Sequence, residues 1–170
     1  MHHRLTDGTP VLIRPIRPSD KAELAAGLRR LSDLSVHKRF LAPKHHFSAA
    51  ELRYLTEIDG HDHVAFVVES LEAPARIVAV ARYVRLREEP DTAEAAIVVA
   101  DVLQGQGLGS LLADSLAREA VGHGVRRFSA TMLSDNRAAH RLMARLAQQL
   151  ERRYDGAGHQ ELVAELPAAA

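Results

Sequence analysis

Two features of the chain are suited to chemistry: a glycine-rich run and a lone acid upstream of it. The run is Gln104-Gly105-Gln106-Gly107-Leu108-Gly109-Ser110. It stands between an apolar stretch, 93–100, and a segment with Leu108, Leu111, Leu112, Leu116 and Ala120 at helical spacing. Glycine lets a backbone pass close to a ligand and take dihedrals that other residues avoid. The first amides of a helix lack internal partners and carry the positive end of its dipole. A glycine loop that opens a helix therefore suits an anion such as a phosphate. Spacing excludes two better-known loops. The dinucleotide fingerprint is Gly-x-Gly-x-x-Gly, whereas the glycines here fall at 105, 107 and 109. A P-loop requires Gly-Lys-Ser or Gly-Lys-Thr, and neither occurs. A glycine-rich turn with no ligand fits the spacing equally well.

The acid is Glu94, in an otherwise apolar run. Strand alternation sets Glu94, Ala96 and Val98 on one face and Ala95, Ile97 and Val99 on the other. Small apolar neighbours predict a partly desolvated carboxylate, with its neutral form favoured and its basicity raised. A group of that kind takes the proton from an alkylammonium, which cannot attack a carbonyl until it loses one. The competing reading is an acid on the solvated face of an antiparallel sheet.

The elements that must position these residues read as follows. A short strand at 11–14 ends at Pro15 and Pro18. Ser19 or Asp20 caps a helix with Leu24, Leu28 and Leu31 on one stripe. A short helix plus loop spans 36–46. Ser48-Ala49-Ala50-Glu51 is a capping box opening a helix to about Ile58. Strands at 64–68, 77–87 and 93–100, joined by short turns, form an antiparallel meander. After the glycine loop comes a helix ended by Gly122 or Gly124, then a strand at 128–133. Asn136 starts a helix that buries Ala139, Leu142, Met143, Leu146 and Leu150, and a strand at 161–165 closes the fold. The expectation is one mixed α/β (α+β) domain over 1–166, with a central, largely antiparallel sheet flanked by helices, and a flexible tail at 167–170.

Composition narrows the class. The 170 residues balance 22 basic against 22 acidic side chains, with 46% hydrophobic residues. That balance argues against a nucleic-acid or anionic-membrane coat. There are no cysteines, so disulfides, thiolate metal sites and cysteine nucleophiles are excluded. A cytoplasmic location is the expectation. No signal peptide or membrane-length apolar run is seen.

The Gln-x-x-Gly-x-Gly pattern between a hydrophobic strand and an amphipathic helix resembles motif A of the GNAT N-acetyltransferase superfamily, and the element order is similar along nearly the whole chain. That resemblance implies that the amides of Gln104, Gly105, Gln106, Gly107, Leu108, Gly109 and Ser110 bind the pyrophosphate of acetyl-CoA. It implies that Ile97 and Val99 pair with the pantetheine arm, that Asn136 contacts CoA, and that Glu94 is the general base. Asn136 is equally suited to cap its helix. The runs at 79–83, 93–99 and 132–136 resemble bacterial protein-lysine acetyltransferases, some of which act on acyl-CoA synthetases and carry regulatory domains. The resemblance implies acetyl-CoA as donor, an amine acceptor such as a protein lysine, and no metal.

Two departures stand out. The superfamily's tyrosine, which protonates the leaving thiolate, is replaced by Met143, and thioether sulfur donates no proton. Water or Ser134 is left for that role. The usual Gly-Phe after this helix is replaced by Ala147-Gln148-Gln149-Leu150. Arg137 or Arg141 is placed to reach a CoA phosphate. The resemblance implies that the acceptor site is walled partly by 36–47 and 155–159. The acidic segment 56–62 either attracts a cationic amine or is a polar loop. His45-His46 and His61-x-His63 read as surface histidines, since no full ligand set accompanies them. A small-amine acetyltransferase, a non-catalytic acyl-CoA-binding module and a homodimer stay open.

Overall fold

In the computed structural model, which describes residues 1–154 and 158–168, strand alternation decides which helices lie on which side of one sheet. In chain order the elements are β1 (His2–Arg4), β2 (Pro10–Pro15), α1 (Lys21–Arg30), α2 (Asp33–Phe40), α3 (Ala49–Thr56), β3 (His63–Ser70), β4 (Arg76–Arg85), β5 (Thr92–Val99), α4 (Leu108–Gly122), β6 (Arg127–Leu133), α5 (Arg137–Leu146), β7 (Gln149–Tyr154) and β8 (His159–Glu165). The sheet has eight strands in the order β1-β2-β3-β4-β5-β6-β8-β7. Every neighbouring pair is antiparallel except β5 and β6, which run parallel.

On one face Tyr83, Ala93, Phe128 and Leu162 meet Leu108, Leu112 and Leu116 of α4 and Met143 of α5. On the other, Ala65, Val67 and Val80 meet Leu24 of α1, with Leu52 and Leu55 of α3 packed alongside. Burial on both faces is the main driving force. The capping box predicted at Ser48 forms: Ser48 Oγ accepts from the Glu51 amide at 3.1 Å, and Glu51 Oε2 accepts from the Ser48 amide at 2.8 Å. Helix α2 starts earlier than predicted, because Ser32 caps it.

Two strands go beyond the sequence reading. β1 is polar throughout and carries no alternation signal; its backbone pairs with β2. β7 replaces the last turn predicted for the Asn136 helix. Ala147 is extended (φ −85°, ψ 130°), and the Gln148 amide donates to Glu165 O at 2.8 Å. Leu150 therefore lies opposite Ala164 in the sheet. The apolar positions fit either period, and pairing with β8 selects the strand.

A buried polar layer links α3 to the sheet. Arg82, 6% exposed, donates to Leu55 O at 3.3 and 3.4 Å, and its Nη1 lies 3.1 Å from His63 Nε2. Burial first, and the Arg82 charge second, push His63 down to about 4, against an opposing pull from Asp59. The ring is therefore neutral in the native state at pH 7 and accepts from the guanidinium. Because the native value lies below the ordinary 6.5, the unfolded chain binds a proton that the native chain refuses. This contribution to stability is complete above about pH 6.5 and is lost as pH falls toward 4. Urea unfolding at pH 7.5 and pH 4.5 should show His63→Gln losing less stability between the two than the wild type, by up to about 3 kcal/mol. An unchanged difference would contradict the assignment.

Candidate active site

The site begins where the sheet comes apart. β5 and β6 are paired only at Thr92–Arg127, Ala93–Phe128 and Glu94–Ser129. Beyond that point β6 continues beside β8, and residues 95–99 of β5 keep β4 as their only strand neighbour among the described residues. The Ala100 amide donates to Val78 O at 2.8 Å. By antiparallel alternation, the backbone groups of Ala95, Ile97 and Val99 then turn away from β4 and into the gap. The gap opens into a cavity of about 670 Å³, walled by β5, β6, α2, α4 and α5. Its size suits a substantial small-molecule ligand.

At one end of the cavity stands the N-terminus of α4. Its N-cap is Gly107, at φ 82°, and no side chain caps it. The first intrahelical bond runs from the Leu111 amide to Gly107 O at 3.1 Å, so the amides of Leu108, Gly109 and Ser110 have no partner within the helix. Gly105, Gly107, Gly109 and Ser110 line the cavity. At Gly107 a Cβ would meet nothing within 4 Å, so the requirement for glycine is its left-handed backbone and not space. Gly109 is different: a Cβ there would lie 3.5 Å from Leu142 Cδ1, at ordinary contact distance with α5. Two other residues of the loop face elsewhere. The Leu108 side chain is buried in the core, and Gln106 Oε1 accepts from Thr6 Oγ1 in the β1–β2 turn.

Gln104 is held internally. Its Nε2 donates to Val99 O and to Ser35 Oγ, each at 3.1 Å. Ser35 Oγ in turn donates to Asp101 Oδ1 at 2.6 Å, and the same carboxylate accepts from the Ser32 amide and hydroxyl at 2.9 and 2.8 Å. Burial alone would raise the Asp101 carboxyl; these hydrogen bonds outweigh it and hold the group below the ordinary carboxylate range. The network ties the start of α2 to the glycine loop. Sequence reasoning missed it, because Ser32, Ser35 and Asp101 are far apart along the chain.

Glu94 lines the cavity at the point where the strands part. The expectation of partial desolvation is not met: Glu94 is exposed. Its own register pair is the last before the gap, so the carboxylate stands at an open mouth. Ile97, Val99 and Asn136 also line the cavity. Asn136 caps its helix as expected, since its Oδ1 accepts from the Ala139 amide at 3.3 Å. Met143 is buried in the wall. Ser134 Oγ donates to Gly158 O at 3.0 Å and lies outside the cavity. Thr131 does line it, as do Arg141 of α5 and Lys38 and Arg39 of α2; Arg137 does not. The acidic segment behaves as a loop. Asp59 Oδ1 accepts from the amides of His61, Asp62 and His63 at 2.8 to 2.9 Å, and Asp62 pairs with Arg85 at 2.7 Å. Among the described residues, no group of three or more His, Asp or Glu is placed to hold a metal. Of the segments expected to form acceptor walls, α2 lines the cavity, and residues 155–157 lie outside the described residues.

The parted strands, the uncapped helix and the carboxylate between them can be set against known proteins. The Acetyltransferase (GNAT) family matches residues 30–147. The chain belongs to the GNAT acetyltransferase family. Acetyltransferase Pat of Mycolicibacterium smegmatis is 36% identical over 134 residues, covering 79% of this chain and 40% of that protein. Acetyltransferase PA5475 of Pseudomonas aeruginosa is 36% identical over 143 residues, covering 84% of this chain and 76% of that protein. The GNAT domain of S. lividans PAT superposes with a TM-score of 0.84 at 28% identity, covering 98% of this chain and 96% of that one. The chain thus spans less than half the length of the mycobacterial relative and nearly all of the solved GNAT domain. In this GNAT domain, Gly107→Ala should cost about 1–2 kcal/mol by forcing a side chain into a left-handed backbone, while Gly109→Ala should cost less. Urea midpoints of the two variants check this, and equal losses would contradict it.

Proposed function

We propose that this domain moves an acetyl group from acetyl-CoA to the side-chain amine of a protein lysine, by direct attack of the amine on the thioester, with Glu94 as the general base. The observation that carries the reading is the position of Glu94 at the apex of the gap, between an unpaired strand edge and an uncapped helix. An extended amide-bearing arm fits the backbone groups of Ile97 and the Val99 amide, which accept and donate as a neighbouring strand would, while Val99 O already accepts from Gln104 Nε2. The amides at the start of α4 suit a pyrophosphate, and the exposed Arg141 adds positive charge on the same side.

The chemistry balances as follows. The ammonium gives one proton to Glu94, directly or through water. The amine nitrogen then forms a bond to the acyl carbon and gives up its second proton as the carbon–sulfur bond breaks, and CoA leaves as a thiolate that takes up one proton, so that amide, thiol and one released proton result. Met143 has no proton to give and the Ser134 hydroxyl is committed to Gly158 O, which leaves water or the hydroxyl of the cavity-lining residue Thr131 for that step. Exposure of Glu94 to the cavity mouth suits transfer through water. Similarity to bacterial protein-lysine acetyltransferases, and 36% identity to Pat, favour a lysine on a protein over a small amine.

Glu94→Gln should lower turnover by about 100-fold or more and leave acetyl-CoA affinity within about twofold, because the substitution removes the base and keeps the shape. Steady-state kinetics with lysine peptides, paired with calorimetric titration of acetyl-CoA, measure the two. Near-normal turnover between about pH 6 and 9 would remove Glu94 from the mechanism.

A further inference from the structure

The acceptor side of the cavity carries more positive charge than the reaction requires. Helix α2 lies over β5 and contributes Lys38 and Arg39 to the wall, against Glu94 as the only carboxylate there among the described residues. Arg39 is half-buried. It has no hydrogen bond and no carboxylate within 4.0 Å among the described residues; its guanidinium lies 5.0 Å from the centre of the Phe40 ring. Phe40 is itself held edge-on by Phe47 at 5.9 Å. The start of the helix is fixed through Ser32 and Ser35 to Asp101. Arg39 is thus presented by a braced element. Burial lowers its pKa, against the opposing charge of Glu94. Behind it stands Arg82, opposite Ala96 in the sheet and also without a carboxylate partner. Burial and then the Arg39 charge push Arg82 down to about 10.

A lysine acceptor reaches this corner as an ammonium. Fixed cations beside a single carboxylate oppose its arrival, and in a partly desolvated wall the opposition is stronger than in water. An anion travelling with the amine reverses the sign. Guanidinium is the group best shaped to receive a carboxylate, by two parallel hydrogen bonds, and that capacity of Arg39 is unused by the protein. We propose that Arg39 is an anion subsite for the acceptor, so that the preferred substrate is a lysine with an aspartate or glutamate within one or two residues of it. This rests on the protein-lysine reading above and names the class of lysine. The competing role is that Arg39 serves only as a counter-charge to Glu94.

The test compares two short peptides that differ by one residue beside the lysine, glutamate in one and glutamine in the other. With the wild type, kcat/KM should favour the glutamate peptide by about tenfold, through KM, which is about the worth of one charge-assisted pair. Arg39→Gln should abolish that preference with acetyl-CoA affinity unchanged, and Arg39→Lys, which keeps the charge and loses the fork, should retain part of it. Equal use of both peptides by the wild type, or a preference that survives Arg39→Gln, would overturn the proposal. An equal slowing of both peptides in Arg39→Gln would assign it to Glu94 alone. Peptide binding to the CoA-loaded Glu94→Gln variant reads the subsite without turnover. Tighter binding of the glutamate peptide there, with no acetylation by the wild type, would keep the anion subsite and refute the lysine-transfer reading. No difference in binding would refute the subsite.

Discussion

The parting of β5 from β6 after Glu94 is the constraint on which the other features of this domain depend. A parallel pair in the middle of a sheet would ordinarily continue to the ends of its strands. Here it stops after three residues, and β6 takes β8 as its partner instead. The unpaired edge of β5 has amides and carbonyls that require partners. The protein answers only part of that need, by turning the Gln104 amide onto Val99 O. The rest faces a cavity whose end is a second set of unsatisfied amides, at α4. Two such deficits in one concave site are costly unless water or a ligand fills them, and together they describe a long polar ligand with an anionic end.

What surrounds the gap follows from the same geometry. Helices α4 and α5 pack on one face through a continuous apolar core, so the helix start that faces the cavity is rigidly held. Helix α2 has little core of its own and is secured by hydrogen bonds to Asp101, the residue leading into the glycine loop. The glycine-loop end and the α2 wall of the cavity are therefore joined by one short chain: Gln104, Ser35, Asp101 and Ser32. Glu94 sits at the apex because only there does a strand residue face both the paired sheet and the open cavity. Its exposure and its reach are consequences of one fact, the end of pairing.

Local signals were read well from sequence. The glycine loop, the Ser48 capping box and the three strands of the meander each depend on neighbours within a few residues, and each stands where its pattern placed it. Non-local pairing was read poorly. Residues 147–150 have a pattern compatible with a helix, and only β8 makes Gln149–Tyr154 a strand. The desolvation expected for Glu94 was inferred from its own strand; the missing neighbour beyond the gap could not be seen. Arg39 and Arg82 look like ordinary surface charges in the sequence. Burial of Arg82 beside α3 and half-burial of Arg39 on α2, with no carboxylate paired to either among the described residues, are properties of the tertiary arrangement alone. A basic residue two positions before the apolar C-cap Leu41 of a short amphipathic helix is the faint available signal, and it is common.

Amide hydrogen exchange followed residue by residue, with and without acetyl-CoA, tests the central claim most directly. If the gap and the helix start hold the donor together, exchange should slow at Ile97 and Val99 and at Gly107 to Ser110, while β1 and β2, at the far edge of the sheet, stay unchanged. Saturating acetyl-CoA that leaves both sets of amides as fast as in the free domain would contradict the account.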